Sequence, residues 1–314
     1  DLDPRSNQPF RSGHHVMVFN GEIYNFKTLR EDLLREGTSL RTSSDTEVIL
    51  EMFKKEGESS IKKLRGMFSI AISDEKTGTL FLARDRIGEK PLHYADTENG
   101  FLFASEIPPL LESGWVTRDV DASVMALYFS GHFKHIPDPL SIWKQVRKLE
   151  PGSFMEVAGD KVRKENYYHL SFEKRFVSTE ELKKAVIEAV SLSAVSDVPL
   201  SLLLSGGTDS SIIAHILKRE LRIPFQAFAF GKNADDPELY RARRVAKLLD
   251  VDLREVILPD IQVEALSIMK DLMKQYGEPL GLLPLIYSTL LMKEIKKEGF
   301  KVVLTGSGAD ELFY

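Results

Sequence analysis

Two hydrophobic patterns divide the chain near its middle. The first half carries short alternating stretches that are typical of strands, with few helical periods between them. Asn20-Gly21 is expected to end the first strand, and Ser43 or Ser44 to cap the helix that starts at Asp45. Many short strands with few helices indicate antiparallel sheets flanked by helices. The predicted strands are 15–19, 67–73, 79–83, 101–104, 153–158 and 162–168, and the predicted helices are 24–35, 45–55 and 121–130.

In the second half, strand and helix patterns alternate. This order predicts a parallel sheet covered on both faces, which makes the whole a two-domain protein of the α/β and α+β classes. The polar stretch 174–180 is interpreted as a linker, so the expected domains are 1–173 and 178–314. The predicted strands are 200–204, 225–230, 252–258 and 301–304, and the predicted helices are 181–195, 210–220, 237–249, 261–275 and 284–298.

A glycine-rich turn follows the strand at 200–204. Gly206 and Gly207 would let an anion approach the backbone, at a helix N-terminus that favours negative charge. Asp209 lies in the same turn, and a carboxylate beside a phosphate is chemically reasonable when Mg²⁺ lies between them. The alternative is a plain tight turn in which Asp209 caps the helix.

A second glycine turn, 304–311, follows the strand at 301–304 and contains Asp310. The carboxyl ends of parallel strands share one sheet edge, so the two turns can meet there. Two such turns with two acids suit a polyphosphate and a bridging metal. Taken alone, the second turn could also be a strand-to-helix loop that Asp310 caps.

Composition narrows the classes of function. The 314 residues carry a net charge of −5, which gives no sign of a nucleic-acid surface, and the absence of cysteine excludes disulfides and thiolate sites within them. The apolar stretch 280–292 is too short to span a membrane, and a cytoplasmic location is expected. His14 and His15 are expected to point to opposite faces of a strand, which argues against a shared metal.

Ordered motifs across nearly the whole chain resemble one enzyme family. Residues 205–210 resemble the pyrophosphate loop of N-type ATP pyrophosphatases, and the second turn resembles its partner loop in glutamine-hydrolysing asparagine synthetases. Residues 19–25 and 44–48 resemble the two glutamine contacts of class II amidotransferases. Further matching stretches are 65–68, 83–85, 90–94, 105–106 and 196–199.

The resemblance implies a specific architecture. The first domain would be an Ntn-type antiparallel sandwich with α/β/β/α layers, truncated at its start. The second would be a Rossmann-like ATP pyrophosphatase domain of the adenine nucleotide alpha hydrolase type, truncated at its end. Because the chain opens on Asp1 rather than Met and stops at Tyr314, it is expected to be an internal fragment.

The resemblance also implies a reaction with ATP and Mg²⁺. Glutamine would supply ammonia, ATP would adenylate the aspartate β-carboxylate, and ammonia would displace AMP after pyrophosphate leaves. Asn20 and Gly21 would stabilise the oxyanion of the glutamine reaction, and Glu22 and Asp45, together with Asn20 and Gly21, would hold glutamine. The implied ATP contacts are Leu204, Ser205, Gly206, Gly207, Asp209, Ser210, Phe230, Thr305 and Gly306, and the implied metal ligands are Asp209 and Asp310.

Some family features are missing from these residues. The N-terminal cysteine nucleophile is not present, so the fragment is expected not to hydrolyse glutamine. Ser307 stands where some members have an acid, which leaves two alternatives open. One is a β-lactam synthetase-like enzyme or another amide-former acting on a different carboxylate, and the other is an ATP-binding relative without catalysis. The expected partners are small molecules, without nucleic acid or membrane, and a homodimer is one option for the assembly.

Overall fold

The two hydrophobic patterns correspond to two separate sets of sheets. The computed structural model describes residues 3–131, 135–172, 176–258, 262–281 and 283–313. The chain divides into one unit of Asp1–Glu173 with Lys270–Gly281, and a second unit of Lys174–Met269 with Leu282–Tyr314. Among the described residues, no helix is both long enough and apolar enough to cross a membrane.

The first half of the chain alternates strands with short helices. Its strands are β1 (Phe10–Ser12), β2 (His15–Ile23), β3 (Gly66–Asp74), β4 (Thr79–Arg84), β5 (His93–Thr97), β6 (Gly100–Ala104), β7 (Arg147–Lys148), β8 (Ser153–Ala158) and β9 (Lys161–Asn166). Its helices are α1 (Phe26–Arg35), α2 (Asp45–Glu56), α3 (Ile107–Glu112) and α4 (Ala122–Phe129).

These elements form the predicted antiparallel sandwich. Six strands pair antiparallel in the order β1-β2-β3-β4-β8-β9, and three pair in the order β6-β5-β7. Ile70 packs with the α1 and α2 side chains, whereas its neighbour Ala71 packs with residues of the smaller sheet, because strand side chains alternate. Ala95 of the smaller sheet then packs with Leu110 of α3, which completes α/β/β/α layers.

Strand β2 corrects one prediction. It does not end at Asn20-Gly21 but continues to Ile23, with Gly21 opposite Phe68 of β3. A Cβ at Gly21 would lie 2.0 Å from the carbonyl oxygen of Met67, and its φ is +151°. Glycine is therefore required here for close strand pairing, and Asn-Gly does not form a turn.

The prediction for His14 and His15 was also wrong. Gly13 adopts φ +63° in a turn, and β2 begins only at His15, so the two histidines do not alternate along one strand. Their ring centroids lie 4.3 Å apart, on the same side of the chain.

The first unit includes a buried ion pair that brings residues 277 and 278 against it. Lys148 Nζ lies 2.5 Å from Glu278 Oε1, and both side chains are about nine-tenths buried. Trp143 Nε1 donates to the carbonyl oxygen of Gly277 at 2.7 Å. Burial raises the pKa of Glu278, while the charge of Lys148 opposes that shift.

The second half of the chain has the predicted alternating order. Helix α5 starts at Thr179, two residues earlier than expected, because Ser178 and Glu181 form a capping box. Residues 173–175, which include the start of the predicted linker, lie outside the described residues. The other elements are β10 (Leu200–Leu203), α6 (Thr208–His215), β11 (Phe225–Gly231), α7 (Pro237–Leu249), β12 (Leu253–Ile257), α8 (Gln262–Tyr276), α9 (Leu283–Lys297), β13 (Val302–Leu304) and α10 (Ala309–Phe313), with α5 ending at Ser193.

The sheet of the second unit is parallel, in the order β12-β11-β10-β13. Strand β11 shows why both faces are covered: Ala227 and Ala229 pack with residues of α6 and α7, whereas Phe228 packs with Leu291 and Ile295 of α9. A strand that is apolar on both faces needs helices on both sides.

Candidate functional site

The first glycine turn joins β10 to α6 through a small hydroxyl cluster. Ser205 Oγ lies 3.0 Å from Ser210 Oγ and accepts from the Gly207 amide at 3.3 Å. Gly207 is the N-cap residue, and no side chain caps the helix. Asp209 is therefore not the cap, contrary to the alternative reading, and lies instead in the first turn of α6. Its carboxylate is left available for another partner.

The two glycines of this turn have different surroundings. A Cβ at Gly206 would lie 2.5 Å from the backbone carbon of Arg241, so its φ of +75° and its lack of a side chain let α7 approach. A Cβ at Gly207 would meet only Ser205 Oγ, at 3.4 Å. Gly207 lines the pocket described below, and Gly206 is not among its lining residues.

The second glycine turn lies directly against the first. Strand β13 pairs with β10, with Leu304 opposite Leu202, so both strands end at the same edge. A Cβ at Gly306 would lie 3.0 Å from Asp209 Cβ and 3.2 Å from the amide nitrogen of Ser210. The two turns are thus in contact, as the strand pattern predicted.

A pocket of about 370 Å³ opens between the two turns. It is lined by most of the residues that the sequence suggested for ATP and metal: Leu204, Ser205, Gly207, Asp209, Ser210, Phe230, Thr305, Gly306 and Asp310. Six other lining residues were not proposed as ligands from sequence: Leu203, Phe228, Ala229, Glu238, Ser307 and Glu311. Glu238 lies in the first turn of α7, which Asp236 caps. An acid that soon follows a capping residue is a signal that the sequence does show.

The pocket is strongly acidic, since Asp209, Glu238, Asp310 and Glu311 all line it. Within the described residues, no side-chain hydrogen bond or ion pair engages Asp209 or Asp310. Glu238 has only a loose contact, 3.9 Å from Arg241. Unpaired carboxylates at one sheet edge are the ligand type that Mg²⁺ prefers, so this donor set fits that ion.

The glutamine-type residues of the first unit gather near the end of β2. Asn20 is exposed and its Nδ2 donates to Ser105 Oγ at 3.2 Å, while Gly21 and Glu22 follow along the strand. Asp45 is the first residue of α2, which Ser44 caps as predicted, and its Oδ2 accepts from the Ile23 amide at 3.2 Å. The fold therefore brings Asp45 next to the end of the strand that carries the other three.

The electrostatics of this region reflect burial. Burial raises the pKa of Asp45, so its carboxyl is held partly out of water. Burial also raises the pKa of Tyr24 to about 12, with the charges of Glu89 and Glu22 adding to the shift. The negative charges of Glu89 and Glu22 in these surroundings would stabilise a bound cation, such as an ammonium group.

A buried carboxylate organises the loop after β4. Asp85 is 1% exposed and accepts hydrogen bonds from the amides of Phe68, Ile87, Gly88, Glu89 and Lys90. The neighbouring Arg84 guanidinium donates to the carbonyl oxygens of Gly88, Lys90 and Leu149 and to Asp138. These two residues hold the loop after β4 in place, and neither of them was among the predicted ligands.

Comparisons with known proteins separate the same two halves. The family model "Glutamine amidotransferase domain" matches residues 1–168, and the model "Asparagine synthase" matches residues 181–314. The chain is 33% identical, over 95% of its length, to the asparagine synthetase [glutamine-hydrolyzing] 1 of Bacillus subtilis, and covers 47% of that protein. It is 32% identical, over 95% of its length, to a putative asparagine synthetase [glutamine-hydrolyzing] 2 of Methanocaldococcus jannaschii, and covers 58% of it.

A third relative carries a different name. Amidase chry2 of Gibberella zeae is 30% identical over the full chain, which covers 49% of that protein. The chain thus spans about half the length of the curated relatives it matches.

Proposed function

Because the chain belongs to the glutamine-hydrolysing asparagine synthetase family, with an amidotransferase domain ahead of an asparagine synthase domain, we propose that it takes part in ATP-dependent asparagine synthesis. Aspartate is the proposed acceptor, and glutamine is the proposed source of ammonia. The products would be asparagine, AMP and pyrophosphate, with glutamate from the donor.

The observation that carries the proposal is the contact between the two glycine turns. It places two unpaired acids, Asp209 and Asp310, on one pocket at the carboxyl edge of a parallel sheet. Ser205, Gly207 and Ser210 would donate to the pyrophosphate at the N-terminus of α6. Asp209 and Asp310 would hold Mg²⁺, which supplies positive charge that neutralises the phosphates.

Leu204, Phe230, Thr305 and Gly306 line the pocket as the proposed nucleotide contacts. The Phe230 ring stacks with Tyr287 at 6.5 Å between centroids, so the ring serves packing. We expect Phe230 to contact the nucleotide through its backbone, with little dependence on a polar side chain. Gly206 would act indirectly, by letting α7 support the turn.

The proposed reaction has two steps. An oxygen of the aspartate β-carboxylate attacks the α-phosphorus of ATP, which forms β-aspartyl-AMP and releases pyrophosphate. Ammonia then attacks the acyl carbon, AMP leaves with the bridging oxygen, and the nitrogen loses a proton. The side chains that line the pocket would hold the nucleotide and keep the reacting carboxylate in line.

In the first unit, Asn20 and Gly21 are the proposed oxyanion donors, and Glu22 and Asp45 would hold the amino-acid end of glutamine. This assignment rests on the arrangement at the end of β2 and on the family match. The 314 residues contain no cysteine, so we expect this chain alone to bind glutamine without hydrolysing it.

The test uses the complete gene product with glutamine, aspartate, ATP and Mg²⁺. Asparagine and AMP should appear in equal amounts. Asp209→Asn or Asp310→Asn should lower the rate by about 10³-fold, because each removes a charged ligand of the Mg²⁺ that would neutralise the phosphates. The exposed Asp235, which lies outside the pocket lining, provides the control Asp235→Asn. Full activity in either pocket variant would refute the metal assignment, and failure to form asparagine would refute the acceptor.

A second candidate keeps the chemistry but changes the carboxylate. Ser307 lines the pocket where an acid is found in some members, and one relative is named an amidase rather than a synthetase. ATP–pyrophosphate exchange, measured with a panel of carboxylates that includes β-lactam precursors, separates the two candidates. Exchange with aspartate alone supports asparagine synthesis, whereas ATP binding without any exchange indicates a non-catalytic relative.

A further inference from the structure

A group of two histidines and one aspartate lies at the opposite end of β2 from Asn20. His15, the first residue of β2, is the cross-strand partner of Asp74, the last residue of β3, and His14 directly precedes the strand. Asn20 lies five positions after His15 along β2, which places this group roughly 17 Å from the glutamine-type residues at about 3.3 Å per residue. It is therefore a feature separate from the proposed active sites.

The three side chains converge without satisfying one another. His14 Nε2 lies 3.5 Å from Asp74 Oδ1, and His15 Nε2 lies 4.0 Å from Asp74 Oδ2. Neither imidazole makes a hydrogen bond with another described residue, and His15 Nδ1 is buried without a partner among them. Buried polar nitrogens without partners are rare, and each calls for an explanation such as an ion.

The aspartate is held in place by the backbone. Asp74 Oδ1 accepts from the amide of Lys76 at 2.9 Å, within the turn between β3 and β4. That bond fixes the carboxylate, whose Oδ1 lies nearer His14 and whose Oδ2 lies nearer His15. The ladder between β2 and β3 fixes His15 opposite it, so two of the three groups stand on rigid elements.

The spacing suits a shared transition-metal ion better than direct contacts. Ligand atoms about 2.1 Å from a tetrahedral zinc ion lie about 3.4 Å from one another. The candidate ligand atoms all lie within 4.8 Å of one another, so modest side-chain rotations would bring them to that spacing. We propose that His14, His15 and Asp74 bind a divalent transition-metal ion of the zinc type, with water completing its coordination.

The surroundings both favour and limit this site. The His15 side chain is only 14% exposed, so few water molecules can compete for its ring nitrogens. Lys54 contributes an opposing positive charge, although its Nζ is engaged by Glu51 at 2.8 Å. An ion here would join the start of β2 to the end of β3 and thereby stabilise the larger sheet of the first unit.

The test is a calorimetric titration of the full chain with Zn²⁺ alone. We expect one equivalent to bind with a dissociation constant on the order of micromolar. His14→Ala should weaken binding at least tenfold, and so should Asp74→Asn, which keeps the oxygen that accepts from the Lys76 amide. The matched control is His215→Ala, since His215 is also near an acid, 4.0 Å from Glu220, but has no second histidine beside it.

Thermal unfolding with Zn²⁺ and a variant of Lys54 provide two further measurements. Zn²⁺ should raise the melting temperature of the unmodified chain and leave that of the His14→Ala chain unchanged, because the variant lacks one of the ligands. His14 is exposed, so its loss should not disturb packing. Lys54→Gln should tighten binding several-fold by removing a like charge. Equal Zn²⁺ affinity in the unmodified and His14→Ala chains would overturn the proposal, as would the absence of stoichiometric binding.

Discussion

The two units use acidic residues in opposite ways. In the first unit, Asp85 is buried and holds five backbone amides, so its charge is fully engaged within the protein. In the second unit, Asp209 and Asp310 line an open pocket, where no other described side chain engages them. One carboxylate organises the fold, whereas the other two are available to a ligand.

The difference shows that an acid after a strand is not by itself a functional signal. Asp85 comes after β4 and Asp209 comes after β10. Their roles are distinguished by the hydrogen bonds that each carboxylate accepts within the protein. Removing a satisfied buried charge costs folding stability, whereas removing an unpaired pocket charge affects ligand binding. The variants below test this contrast.

The largest expected effect on stability comes from Asp85→Ala. It leaves five amides without their charged acceptor, and the free energy of unfolding of the first unit should fall by about 3–5 kcal/mol. Trp115 and Trp143 are the two tryptophans of the chain, and both lie in the first unit, so their fluorescence during urea unfolding reports on it. Asp209→Ala is the matched variant and should shift this transition by less than about 0.5 kcal/mol. Equal losses in both would remove the contrast.

Gly21→Ala should have the next largest effect. Its Cβ would collide with the Met67 carbonyl oxygen, 2.0 Å away, and the strands would have to separate, which should cost about 3 kcal/mol. Gly159 also has positive φ, +58°, but has no atom within 4 Å of the added carbon, so Gly159→Ala should cost only about 1 kcal/mol. Tryptophan fluorescence in urea compares the two, and similar costs would show that the close approach is unimportant.

A pH dependence should also belong to the first unit. Burial lowers the pKa of His93 to about 4, with the charge of Lys148 adding to the shift. The unfolded chain binds a proton near pH 6.5 that folded His93 does not, so stability present above that pH is lost as the pH falls towards 4. Between about pH 7.5 and about pH 5, this residue should account for a loss of about 2 kcal/mol.

Urea titrations of His93→Gln at both pH values test this dependence, which the variant should flatten. The exposed His215 provides the control His215→Gln, which should retain the slope of the unmodified chain. An unchanged slope in His93→Gln would show that other groups carry the effect.

The smallest effect is expected in the second unit and should appear in binding. A Cβ at Gly306 would lie 3.0 Å from Asp209 Cβ, so Gly306→Ala should shift that carboxylate by a few tenths of an ångström. ATP affinity, measured by calorimetry with Mg²⁺, should fall about tenfold, or about 1.4 kcal/mol, while tryptophan fluorescence in urea stays unchanged. Gly299→Ala is the control, because no atom lies within 4 Å of its added carbon. Unchanged ATP affinity in Gly306→Ala would separate the second turn from nucleotide binding.

Prediction from sequence succeeded where neighbouring residues determine the outcome. Strand β10, helix α6 and the polar turn between them follow from apolar runs and a glycine pair, and the helix after Ser44 follows from its cap. The predictions failed where a distant partner decides. Asn20-Gly21 has the composition of a turn, but pairing with β3 keeps it extended. Strand β5 was not predicted, and its pairing with β6 and β7, at distant positions in the case of β7, defines it.

The candidate sites divide in the same way. Asp209 and Asp310 could be proposed from their turns, since each turn shows its own composition of glycine and acid. Glu238 and Glu311 show a local signal, an acid in the first turn of a helix, but that signal does not indicate that they line this pocket. The convergence of His14 and His15 on Asp74 could not be predicted from local pattern. The same holds for Gly206, whose missing side chain admits α7 rather than lining the pocket.

Local chain chemistry was enough to predict the two sheet types and to identify the motifs of the family, because periodicity, capping and turn composition act over a few residues. Which groups share a pocket depended on strand order: β13 pairs with β10 although about one hundred residues separate them. Contacts of that range arise only when the whole sheet is assembled, because hydrophobic burial rewards the packed arrangement and not any single segment.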